Sequence, residues 1–152
     1  TRFEAAVTRA QWPARLQRLK TGPLKDMAPD TDLWLDGGHN AAAGQALASH
    51  LAQQSLRPTY LICGMLNTKD VAGYLAPMAP YVAELFAVSI PGEANTLPAE
   101  TTATAAKSVG MVATAADTVN AAVAKILKSD PASRILICGS LYLAGQILRE
   151  NA

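Results

Sequence analysis

"RILICGSLYLAGQILRE" (residues 134–150) decides the fold. Ile135, Leu136, Ile137 and Cys138 are consecutive apolar residues with no polar alternation. Such a run reads as a short strand buried on both faces, as in a parallel sheet. Gly139 and Ser140 break the run, and Ser140–Glu150 returns to helical spacing. The same strand–turn–helix order appears in "DLWLDGGHNAAAGQALASHL" (32–51), which predicts a strand over Leu33–Asp36 and a helix over Asn40–Gln54, with Ala43, Ala46, Leu47 and Leu51 at helical spacing. Further strands are expected at Pro58–Gly64, Val82–Ile90 and Met111–Thr114. Further helices are expected at Lys69–Ala79, Pro98–Val109, with Pro98 suited to its first turn, and Asp117–Lys128, where Val119, Val123, Ile126 and Leu127 share a face. "RLQRL" (15–19) alternates as a half-buried edge strand would. Gly22, Pro23 and Pro29 mark residues 21–32 as irregular connection.

This alternation predicts an α/β fold: a Rossmann-like, open, mostly parallel sheet of about five or six strands with helices on both faces. Right-handed crossovers bring every strand-to-helix turn to one edge, where such folds bind ligands. Three turns on that edge carry polar chemistry: "DGGHN" (36–40), "GMLNTKD" (64–70) and "GSLY" (139–142). Composition narrows the classes. The chain has 152 residues, half of them hydrophobic and 16% charged, with mean hydropathy +0.13, so one domain with a real core is expected. A net charge of +1 gives no electrostatic pull toward nucleic acid or a membrane surface. No apolar run approaches the roughly 18 residues of a membrane span. Cys63 and Cys138 lie in apolar runs and read as buried free thiols, which fits a cytoplasmic protein. The start carries no signal-peptide pattern and no initiator Met, which suggests a piece of a longer chain. Residues 1–12 read as a linker or tail and 13–152 as the domain.

The chemistry concentrates in "DGGHN". Gly37 and Gly38 allow a tight turn and close approach to a ligand. Asn40 is suited to cap the helix. His39 stands where the helix dipole favours an anion, and Asp36 can accept two hydrogen bonds, for example from ribose hydroxyls. The structural alternative is a strand-end turn with an Asx cap and an incidental histidine. Ser140 reads first as an N-cap. Lys69, in "NTKD", reads as solvating a helix start or meeting a phosphate. Phosphate-loop, dinucleotide and nucleophile-elbow motifs are missing, as is zinc-ligand spacing. His50 is placed mid-helix, so a histidine-based site would need His39. A complete active site is hard to build from this chain alone.

Taken in order, "WPARLQRL", "LWLDGGHNAAAGQAL", "ICGMLNTKD" and "ILICGSLYLAGQILRE" resemble the C-terminal domain of the folylpolyglutamate synthase/dihydrofolate synthase family, which belongs to the Mur-ligase-like ATP-dependent amide ligases. The resemblance runs from about Gln11 to Glu150. Where the family usually has D-G-A-H-N-P, Gly38 replaces alanine and Ala41 replaces proline. The resemblance implies an ATP-dependent ligase that adds L-glutamate to dihydropteroate or folates through an acyl phosphate. It implies that a separate N-terminal ATPase domain supplies the phosphate loop and the Mg2+ ligands, and that this chain holds no metal and is inactive alone. It also implies that Arg15 and Asp36 bind nucleotide, that His39 is needed for activity, and that Ser140 lies on the glutamate side. The competing readings are a stand-alone nucleotide-binding or regulatory module and an interaction domain that binds no small molecule.

Overall fold

A computed structural model describes residues 16–54, 57–67 and 70–152. The expected linker, Arg15 and Lys69 lie outside the described residues. Six strands form one sheet: β1 (Gln17–Arg18), β2 (Asp32–Leu35), β3 (Thr59–Cys63), β4 (Glu84–Ala87), β5 (Ala113–Ala115) and β6 (Arg134–Cys138). Their order is β1-β2-β6-β3-β4-β5, and all neighbours are parallel except the β1–β2 edge pair. The helices are α1 (Pro23–Met27), α2 (Ala41–Ala52), α3 (Val71–Leu75), α4 (Ala99–Ser108), α5 (Val119–Ser129) and α6 (Leu141–Glu150).

β6 is central and every residue in it is buried. Its side chains alternate between two cores. Leu136 and Cys138 join Leu61, Cys63, Leu85 and Ala87 under α2, α3 and α4. Ile135 and Ile137 join Leu33, Leu35, Ile62 and Phe86 under α1, α5 and α6. Two apolar layers explain why a strand can be hydrophobic at every position. At the amino edge, Asp32 pairs with Arg18 at 3.1 Å and with Arg134 at 3.5 Å, and Arg134 donates to the Thr59 hydroxyl at 3.1 Å. These contacts tie β1, β2, β6 and β3 in register. Arg18 also lies over Trp34, 4.6 Å from the ring centroid, and His50 meets the same indole edge-on at 5.5 Å. His50 sits in the last turn of α2 rather than mid-helix, and it packs against an aromatic ring far from the turn chemistry.

The structure corrects three readings. Residues 23–27 form α1 although the stretch is rich in Gly and Pro. Proline is tolerated in a first helical turn, and Asn151 fixes the start by accepting the Leu24 amide at 2.9 Å. The helix expected over Lys69–Ala79 is α-helical only over Val71–Leu75 and continues as a 3₁₀ segment, Ala76–Tyr81. Pro77 has no amide to donate back into an α ladder, and 3₁₀ geometry takes over. The buried stripe of α2 is Gly44, Leu47, Ala48 and Leu51, while Ala46 is exposed. The stripe rotates because Gly44 seats the helix directly on the Tyr74 carbonyl, where a β-carbon would collide. Cys63 and Cys138 are free, buried and face each other across β3 and β6. Their mutual hydrogen bond, with burial, pushes the Cys63 thiol well up, so it is no nucleophile at neutral pH.

Candidate functional site

The strand order creates a crevice. β2 and β3 feed α2 and α3 on one face, and β6, lying between them, feeds α6 on the other. Adjacent turns that diverge to opposite faces leave an opening at the carboxyl edge, the usual ligand position in open α/β sheets. The ladder continues past the strands and sets the turns in register. Asp36 donates its amide to the Ile137 carbonyl at 3.0 Å, and Gly64 donates to the Cys138 carbonyl at 3.2 Å. "DGGHN", "GMLN" and "GSLY" therefore share one edge, as the sequence predicts.

Glycines stand at the points of closest approach. A β-carbon on Gly37 would lie 2.7 Å from Leu141 Cδ1 and 3.3 Å from its Cα, so the turn after β2 rests on the start of α6. Gly139 has φ +103°, and a β-carbon there would sit 2.7 Å from the Gly64 carbonyl and 2.8 Å from Cys63 Sγ. Gly38 is different: a β-carbon would meet Ala43 Cβ at 2.6 Å and Asp36 Oδ2 at 2.9 Å. Alanine, the residue common at this point in the resembled family, does not fit against Ala43 here unless the first turn of α2 moves.

Of the predicted site residues, Asp36, His39 and Ser140 are described and Arg15 is not. Asp36 is buried, 7% exposed. Its Oδ1 accepts the Leu16 amide at 2.7 Å and its Oδ2 accepts the Gly38 amide at 2.8 Å. His39 is half-buried, and its Nδ1 is buried without a hydrogen-bond partner among the described residues. A buried, unmatched ring nitrogen costs stability unless something else satisfies it. Asn40 caps α2 by accepting the Ala43 amide at 2.9 Å, as expected. Ser140 caps α6, accepting the amides of Tyr142 at 3.0 Å and Leu143 at 3.4 Å, and it is almost wholly buried. Its oxygen is thus engaged structurally, which leaves the hydroxyl proton as the group it has to offer a ligand.

Asp36, Gly38, His39 and Asn40 line an open cavity of about 510 Å³ together with the apolar side chains of Leu16, Ala43, Ala46 and Leu47. Ala43 and Ala46 read from the sequence as core positions, yet their small side chains leave the space that makes the cavity. Leu16 was not legible as a wall, because only the fold brings it back beside Asp36. A largely apolar lining with a few polar groups suits a heteroaromatic base attached to polar groups. No group of three or more His, Cys, Asp or Glu side chains among the described residues is placed to hold a metal. No helix among them is long and apolar enough to cross a membrane.

Comparisons with known proteins agree with this layout. Residues 17–150 match the family described as dihydrofolate synthetase, C-terminal domain. Folylpolyglutamate synthase of Lacticaseibacillus casei is 29% identical over 138 residues, covering 91% of this chain and 29% of that protein. Mycobacterium tuberculosis folylpolyglutamate synthase, solved with ADP and AMPPCP, superposes with TM-score 0.72 at 27% identity, covering 90% of this chain and 31% of that one. The ligand-free bifunctional folylpolyglutamate synthase/dihydrofolate synthase of Yersinia pestis gives TM-score 0.69 at 25% identity, with 90% and 31% covered. The chain thus spans under a third of the length of these relatives. A six-stranded, mostly parallel sheet, as expected, and a match over nearly the whole chain make this protein a member of the dihydrofolate synthetase C-terminal domain family.

Proposed function

We propose that this chain is the C-terminal part of an ATP-dependent ligase that joins L-glutamate to dihydropteroate or to a folate. On this reading residues 13–152 form the domain and residues 1–12 lead to an N-terminal ATPase domain. The observation that carries the reading is the cavity beside "DGGHN". Its lining combines apolar side chains with the polar groups of the turn, it includes His39, whose Nδ1 has no hydrogen-bond partner among the described residues, and it lies at the carboxyl end of β2. The relatives' similarity over this same segment, and the ADP and AMPPCP bound by the Mycobacterium tuberculosis protein, supply the substrate class.

The residues fit half of such a site. The cavity takes the nucleotide, and Arg15 offers a fixed fork of donors to phosphate oxygens. His39, at the mouth of α2, faces the reacting groups, where the helix N-terminus favours accumulating negative charge. Ser140 offers its hydroxyl proton toward the glutamate. Magnesium, when bound, neutralises phosphate charge, and its ligands belong to the other domain. Closure of the two domains excludes water that would hydrolyse an acyl phosphate. In the reaction the pterin-linked carboxylate attacks the γ-phosphorus and ADP leaves. The glutamate amine then attacks the acyl carbon, phosphate departs, and an amide remains. The test is isotopic. With 18O in the acceptor carboxylate, the longer protein is expected to transfer one 18O to inorganic phosphate for each amide formed. Phosphate free of label would overturn the acyl-phosphate route.

A further inference from the structure

β1 is the last strand of the sheet, so one of its edges has no strand beside it among the described residues. Gln17 pairs with Leu35, and Leu19 donates its amide to the Leu33 carbonyl at 2.8 Å. The alternation of an antiparallel ladder then turns the Arg18 amide and carbonyl away from β2. Beside this edge lies an open groove of about 780 Å³. Residues 17–21 line it from the strand side, and Leu148, Arg149 and Asn151 line it from the end of α6. That wall is fixed. Asn151 is buried, its side chain accepts the Leu24 amide and donates to the Ile147 carbonyl, and its own carbonyl accepts the Thr21 hydroxyl at 3.1 Å. The charge of the groove is one-sided. Arg18, Lys20 and Arg149 line it, and no acidic side chain does. Arg18 is engaged by Asp32 and by the Trp34 ring. Lys20 and Arg149 are exposed and have no ion pair or hydrogen bond among the described residues. In a chain with a net charge of only +1, this gathers uncompensated positive charge at one edge.

An outward strand edge offers backbone groups to an extended chain that carries amides, and cations beside it select carboxylates along that chain. We propose that this groove binds a γ-glutamyl chain of several residues, with Lys20 and Arg149 each meeting a carboxylate and Arg18 offering its backbone. The source of such a chain rests on the proposed function: a ligase that adds glutamate to an acceptor already ending in glutamate makes a product with this tail. The groove is separate from the cavity at "DGGHN", since no residue lines both. Leu16 lines that cavity and Gln17 begins the groove, opposite Leu35 at the carboxyl end of β2. The groove therefore starts near the carboxyl edge of the sheet and runs along β1 toward the amino edge.

The experiment uses the longer protein that carries this chain. Binding of penta-γ-L-glutamate, which has no pteridine, is measured by calorimetry for wild type and variants. Lys20→Ala and Arg149→Ala are each expected to weaken it about threefold to tenfold, the scale of one exposed charge-assisted contact. Reversing both charges, with Lys20→Glu and Arg149→Glu together, is expected to abolish it, and added salt to weaken it in wild type. Both side chains are exposed, so the variants should keep the wild-type Tm. In turnover, each alanine variant is expected to raise the KM for tetrahydrofolate pentaglutamate by the factor seen in binding. The KM values for ATP and for the monoglutamate acceptor should stay unchanged. No binding, or binding that the double reversal leaves intact, overturns the inference and leaves the cations as charges that guard an open strand edge. Tripolyphosphate held as tightly as the γ-glutamyl chain overturns it, because the groove would then answer to charge alone. Penta-α-L-glutamate held more tightly overturns it too, in favour of an acidic protein segment. Binding of penta-γ-L-glutamate without any glutamyl transfer by wild type overturns the ligase reading instead.

Discussion

Alanine in place of His39, in the longer protein, is expected to lower kcat about 100-fold while the KM for ATP changes less than about threefold. A group that stabilises charge only as the reaction proceeds acts on turnover, and removing such a group costs on the order of 100- to 1000-fold. The imidazole is placed for this. It sits immediately before the Asn40 cap of α2, its Nδ1 is buried with no hydrogen-bond partner among the described residues, and it lines the cavity. A packing role predicts the opposite pattern, with lower Tm and unchanged kinetic constants per folded molecule. Thermal unfolding measured beside steady-state kinetics separates the two.

Gly44→Ala is expected to damage the fold although alanine is the better helix former, with a net cost of about 1–2 kcal/mol. Two effects compete. Alanine favours a helix over glycine by about 1 kcal/mol. Against that, a β-carbon at this position lands on the Tyr74 carbonyl, a backbone atom that cannot rotate away, and overpacking of this kind costs roughly 1–3 kcal/mol and occasionally more. The clash wins, and Tm should fall by about 3–6 °C for a domain of this size. Gly145→Ala is the control. It lies in α6, and its β-carbon would meet only the end of the flexible Arg149 side chain, at 3.5 Å. There propensity acts alone, and Tm should hold or rise. Equal losses at both sites would show that α2 does not seat on α3 through Gly44.

What was legible followed from local physics. The two-sided burial of β6, the alternation of strands and helices, and the Asn40 and Ser140 caps depend on neighbours in sequence, and each is found where the pattern put it. What was not legible depended on distant contacts. α1 is set by Asn151, 127 positions away. The face of α2 is set by Tyr74 through a glycine whose role no local pattern reveals. The cavity shows the same division. Asp36 and His39 stood out by residue type. Leu16 became a wall only when β1 paired antiparallel with β2 and returned it to the Asp36 carboxylate. Asp36 itself read as a free acceptor of two hydrogen bonds. In the fold each of its oxygens also accepts a backbone amide, from Leu16 and from Gly38, a structural role that the sequence could not disclose.

If, as proposed, this chain is one half of a shared ligase site, the chain alone cannot complete the reaction. The most direct test compares the chain alone with the longer protein that carries it. Each is given ATP, a divalent cation, L-glutamate and either dihydropteroate or tetrahydrofolate, and new amide product is measured by mass spectrometry. The account predicts glutamyl product, with matching ADP, from the longer protein and none from the chain alone, because its described residues hold neither a phosphate loop nor a metal-ligand cluster. Product from the isolated chain, or no glutamyl product from the longer protein with either acceptor, would contradict it.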